Sequence, residues 1–146
     1  MEIEKRLLRS RIQLLLRRCF YGQIALSLPL KEENRIPTFA TDGKFIYYNK
    51  EFAESIANDE HLEWILIHEI LHNVLLHLLR IGARNPERWK IAVDFATNCI
   101  LKNEFGYVIE GCLYDVKFEN KSAEEIYNLL PDIKKKGGFG RPLRYH

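Results

Sequence analysis

Apolar residues recur near helical spacing from the start of the chain: Ile3, Leu7, Leu8, Ile12, Leu15, Leu16, Cys19 and Phe20, with arginines between them. That spacing predicts an amphipathic basic helix over residues 1–20, with one face laid on a core. Gly22 and Pro29 punctuate the next stretch, and Lys31 to Arg35 reads as a polar loop. Between Thr38 and Tyr48, Asp42-Gly43 separates two runs of β-formers. This predicts a two-stranded hairpin with a tight primed turn and tyrosines on both faces of its second strand. A short helix is expected over Lys50 to Ala57. The next, from Glu60 to about Arg80 with Asn58 or Asp59 as its cap, is apolar almost all round. A helix without a polar face is a buried, central one.

Gly82 and Asn85-Pro86 end that helix, and Pro86 opens another that runs to about Lys102. Gly106 and Gly111 bracket an expected strand at Tyr107 to Ile109. Ser122-Ala-Glu-Glu125 is a capping box for a short helix that stops at Pro131. The organisation is one domain over residues 1–131, followed by a flexible basic tail over 132–146.

Composition narrows the class. A chain of 146 residues, 47% hydrophobic and 29% charged, has the length and balance of one soluble globular domain. Cys19, Cys99 and Cys112 show no C-x-x-C spacing, which favours a reducing, cytoplasmic setting over a disulfide scaffold. No apolar run is long enough to span a membrane, and the charged first twenty residues do not read as a signal peptide. The net charge of +2 hides an asymmetry. Residues 1–20 carry six basic side chains against two acidic ones, a net +4, and residues 132–146 carry five against one, also +4. The body between them is therefore acidic. Basic ends offer a surface for nucleic acid or a partner protein, or simply a solvated helix face and tail.

The central helix contains His68-Glu69-Ile70-Leu71-His72. Residues four apart on a helix share a face, so both imidazoles can hold one zinc ion, with Glu69 placed to take a proton from the water that the ion activates. Three ionisable groups in so apolar a stretch are costly unless something compensates them, and a metal does so. His77 lies about 180° from His68 on a continuous helix and is expected to face away. Asp94, the lone acid in Trp89-Lys-Ile-Ala-Val-Asp94-Phe-Ala-Thr-Asn98, is the expected third ligand. Asn98, on the same face, is expected to orient a ligand imidazole. Cys99 and Cys112 read as packing residues, with a reversible zinc-blocking role left open for Cys112.

These residues carry a resemblance. The segments Thr41-Asp-Gly-Lys through Tyr48-Asn, His68-Glu-Ile-Leu-His72 with Arg80, Trp89 through Asn98, Leu113-Tyr-Asp115 and Ser122-Ala-Glu-Glu-Ile-Tyr127 resemble a metallopeptidase-domain family of bacteria and phages. In that family the domain usually precedes a von Willebrand factor A-like domain, which these 146 residues do not contain. The resemblance implies an α+β, zincin-like fold. Its parts would be a buried HExxH helix, a second ligand-bearing helix and a small β-hairpin or sheet. It also implies that His68, Glu69 and His72 form the site, with Asp94 in the family's second block. The expected activity is zinc-dependent peptide hydrolysis with Glu69 as general base. The hairpin edge would receive an extended peptide or protein substrate. Tyr107, Tyr114, Arg84 and His77 are the alternatives for the oxyanion-stabilising donor. Two other readings stand beside it: a non-catalytic, phage-associated structural or interaction protein of the same fold, and a nucleic-acid-associated protein gripping phosphate with its basic ends.

Overall fold

The computed structural model describes residues 2–131, so the flexible tail expected over 132–146 lies outside the described residues. Helix α1 (Ile3–Arg17) buries Ile3, Leu7, Ser10 and Leu14, a single narrow stripe. Leu8, Ile12, Leu16 and Phe20, expected on the packed face, are exposed instead. Helical spacing alone cannot say which of two apolar stripes meets the core. The chain kinks at Arg18 into α2 (Cys19–Leu26). Gly22 is no break: it lies inside α2 because a Cβ there would sit 2.3 Å from the Leu15 Cα.

Strands β1 (Leu30–Glu32), β2 (Phe39–Thr41) and β3 (Ile46–Tyr48) form a mixed sheet in the order β1-β3-β2. The expected hairpin is β2–β3, antiparallel with Phe39 opposite Tyr48. Its connection is longer than a two-residue turn. Asp42 Oδ1 accepts from the Lys44 and Phe45 backbone N–H groups, and Gly43 takes the left-handed φ of +92° that the bend requires. β1, expected as loop because only Leu30 is apolar in it, pairs parallel to β3. Tyr107 to Ile109 forms no strand.

Helix α3 (Lys50–Ser55) leads to α4 (Asp59–Val74), capped by Asn58 and buried continuously from Leu62 to His72. The long helix expected to reach Arg80 stops here. Leu76 adopts a left-handed φ of +56°, and a short helix α5 (His77–Arg80) starts afresh. Helix α6 (Pro86–Phe105) begins with Pro86 behind the Asn85 cap. A 3-10 turn (Val116–Phe118) and α7 (Ala123–Leu129), with its Ser122–Glu125 capping box formed, complete the described chain.

One apolar cluster joins α1, the sheet and α4, and a second joins α6, the 3-10 turn and α7. Helices α4 and α6 pack against each other across the seam. The ionisable residues singled out in the sequence lie along it. None of the three cysteines forms a disulfide, and no described helix is long and apolar enough to cross a membrane.

Candidate metal centre

The His68 and His72 side chains project from one face of α4 towards Asp94 on α6. His68 and Asp94 are wholly buried, and His72 is nearly so. The two Nε2 atoms lie 3.0 Å apart, and each lies 3.3 Å from Asp94 Oδ1. Among the described residues, this trio groups ligand atoms closely enough to hold a metal ion. Ligands at zinc-like distances occupy tetrahedron vertices about 3.4 Å apart. The observed triangle is close to that size.

Proton accounting points the same way. Asn98 Nδ2 donates to the Leu113 carbonyl at 2.7 Å, which turns Asn98 Oδ1 towards His68 Nδ1 at 2.9 Å. His68 therefore carries its proton on Nδ1 and offers a lone pair at Nε2. That lone pair faces the Asp94 carboxylate and the second imidazole. Neither Asp94 oxygen finds a hydrogen-bond partner, and neither does either oxygen of Glu69. Such a cluster of acceptors is stable only around a positive charge, and a divalent cation fits it.

His72 is fixed from behind. Its Nδ1 lies 2.9 Å from Nδ1 of His77, which is buried and does not face away as expected from a continuous helix. The left-handed Leu76 swings His77 back beneath His72, and Trp89 Nε1 donates to the His77 carbonyl at 2.9 Å to hold the segment there. Burial lowers the His77 pKa to about 3, with His72 and Arg80 adding to the shift, so His77 is a neutral partner. Trp64 stacks on the His68 ring at 5.9 Å.

Glu69 is wholly buried and lines an open cavity of about 240 Å³ together with His72, His77 and Asp94. Burial raises its carboxyl well above the usual carboxylate range, the charge of Asp94 adds to this, and Lys90 opposes it. Ala40 and Thr41 of β2 also line it, as do the apolar residues Leu78, Ile81, Trp89 and Val93. Asn73 ties β2 to α4, donating to Thr41 Oγ1 and to the Glu69 carbonyl, each at 3.0 Å.

Of the four alternatives for an oxyanion donor, only His77 lines this cavity. Tyr107 donates to Glu60 and Tyr114 to Glu119, and the Arg84 guanidinium lies over Trp89 and donates to the Arg80 carbonyl. Lys90, which sequence reasoning missed, does line it. Its signal was the four-residue spacing that places it on the face of α6 that carries Asp94. Cys99 packs in the α6 cluster and Cys112 against the α4 cluster, neither of them lining the cavity.

No curated protein and no solved structure matches this chain. One family profile does, over residues 2–144, and its description is "putative metallopeptidase domain". With nearly the whole sequence covered and a candidate His/His/Asp metal cluster at its centre, the chain belongs to that metallopeptidase-domain family.

Proposed function

We propose that the protein is a zinc-dependent peptidase of zincin-like fold, with His68, His72 and Asp94 as metal ligands and Glu69 as general base. The observation that carries this reading is the convergence of three buried candidate ligand atoms from two helices beside an unpartnered carboxyl, with Glu69, His72 and Asp94 lining an open cavity. Two nitrogen donors and one carboxylate oxygen suit zinc better than the hard cations, which prefer all-oxygen sets. A bound zinc ion would supply Lewis acidity, polarising a carbonyl and acidifying water.

The chain's own residues supply the rest. Asn98 and His77 hold the two imidazoles in orientation from their Nδ1 sides. A Glu69 oxygen takes the proton of the attacking water and returns it to the leaving amine, as its position in the cavity allows. β2 is an edge strand, so an extended substrate can add along it by backbone hydrogen bonds. His77 and Lys90 are the cavity-lining donors available to a developing oxyanion.

The test is Glu69→Gln. Zinc binding is expected to persist while cleavage of an unstructured protein such as casein is lost. Full cleavage by the variant would refute the assignment. A non-catalytic relative in which the same cluster merely ties α4 to α6 is the second reading, because the ligands do span that seam. It predicts zinc binding with no cleavage by the wild type. Nucleic-acid recognition through α1 is less favoured. Arg6 and Arg9 pair with Asp59, Arg11 donates to the Ala25 carbonyl, and Arg18 lies over Phe105.

A further inference from the structure

The cavity beside Glu69 is not uniformly polar. Its apolar lining comprises Leu78, Ile81, Pro86, Trp89 and Val93, with Lys90 among them. A volume of about 240 Å³ is generous for a side chain, since an apolar cavity of roughly 150 Å³ accommodates a benzene ring. The apolar lining also continues outwards. Leu78 is 55% exposed, and Leu76 and Leu79, on either side of it in sequence, are exposed at 54% and 79%. Three exposed leucines in four residues, next to an open apolar cavity, form surface that gains by being covered. Their placement depends on the left-handed Leu76, a backbone conformation that non-glycine residues rarely adopt. The same break brings His77 under His72 and Leu78 into the cavity wall.

We propose that this half of the cavity is the subsite for a large apolar side chain, leucine or an aromatic, adjoining the bond to be cleaved. This rests on the peptidase reading. The commitment to a substrate side chain comes from continuity: Glu69 and His72, the β2 edge residues Ala40 and Thr41, and the apolar residues Leu78, Ile81, Trp89 and Val93 all line one cavity. A peptide held along β2 with its carbonyl towards Glu69 brings a neighbouring side chain against Ile81 and Trp89. An apolar pocket of this kind discriminates by size, by about 10- to 200-fold between a side chain that fills it and one that does not.

The test uses the full chain carrying Glu69→Gln, loaded with zinc so that peptides bind without being cut. Calorimetry measures its affinity for peptides identical except at one position, occupied by Phe, Leu, Ala or Glu. The Phe and Leu peptides are expected to bind at least tenfold more tightly than the Ala and Glu peptides. Adding Ile81→Phe, which fills the pocket, is expected to remove that advantage and leave the Ala peptide within about twofold. Leu78→Asp provides a second variant at an exposed position where the fold has little at stake, and it is expected to weaken the Phe peptide tenfold. Equal affinity for all four peptides, or a preference unmoved by both variants, would overturn the subsite while leaving the peptidase reading standing. Zinc uptake with no binding of any peptide would overturn the peptidase reading and the subsite together.

Discussion

At the residue scale, two groups that do not belong to the ligand trio decide where it points. Asn98 Oδ1 and His77 Nδ1 each meet the Nδ1 of a ligand imidazole at 2.9 Å, so each ring presents Nε2 to Asp94. Outer partners of this kind are worth 10- to 100-fold in metal affinity. Asn98→Ala and His77→Ala are accordingly expected to weaken zinc binding by about 10- to 100-fold, measured by competition with a coloured chelator. Unchanged affinity with only a lower melting temperature would make both mere packing residues. Asn98 was legible in the sequence because i, i+4 spacing on α6 fixes its side. His77 was not, because the left-handed turn at Leu76 has neither glycine nor proline to mark it. The candidate ligands themselves were legible from the cost of burying charge in apolar helices, a cost that spacing and composition already reveal.

At the scale of elements, local chemistry was readable and close packing was not. Caps are each a matter of a few residues: the Ser122 box forms as expected, Asn58 rather than Asp59 caps α4, and Asn85 caps the helix that Pro86 opens. Strand β1 depends on a partner sixteen residues away, Leu30 opposite Ile46, so its own three residues gave little sign of it. Gly22 shows the same limit. In isolation it reads as a break, whereas its purpose is the contact of α2 with the α1 backbone, where the nearest atoms are Leu15 Cα and N at 2.3 and 2.5 Å from a built Cβ. Backbone atoms cannot rotate aside, so Gly22→Ala must spread the two helices. The expected loss is about 2 kcal/mol or more, in the range of overpacked cores, measured by urea denaturation. A midpoint equal to that of the wild type would mean that the helices separate at no cost.

At the scale of the whole molecule, the site sits where two apolar clusters meet, so whatever binds there also joins α4 to α6. The charge asymmetry of the sequence is partly consumed inside the fold, with Arg6 and Arg9 on Asp59 at the start of α4, and within the body Arg80 pairs with Glu124 across to α7. Both contacts brace the helix that carries His68 and His72 or the segment just after it. A cation that binds only the folded state adds stability by mass action, about 2.7 kcal/mol at a free concentration one hundred times its Kd. The most direct measurement is the zinc content of the reconstituted, desalted protein by elemental analysis, for the wild type and for His68→Ala, His72→Ala and Asp94→Ala. One equivalent in the wild type, lost in each variant, is the expected result. A wild type without zinc, or any of the three variants retaining a full equivalent, would contradict a cation shared between the two helices.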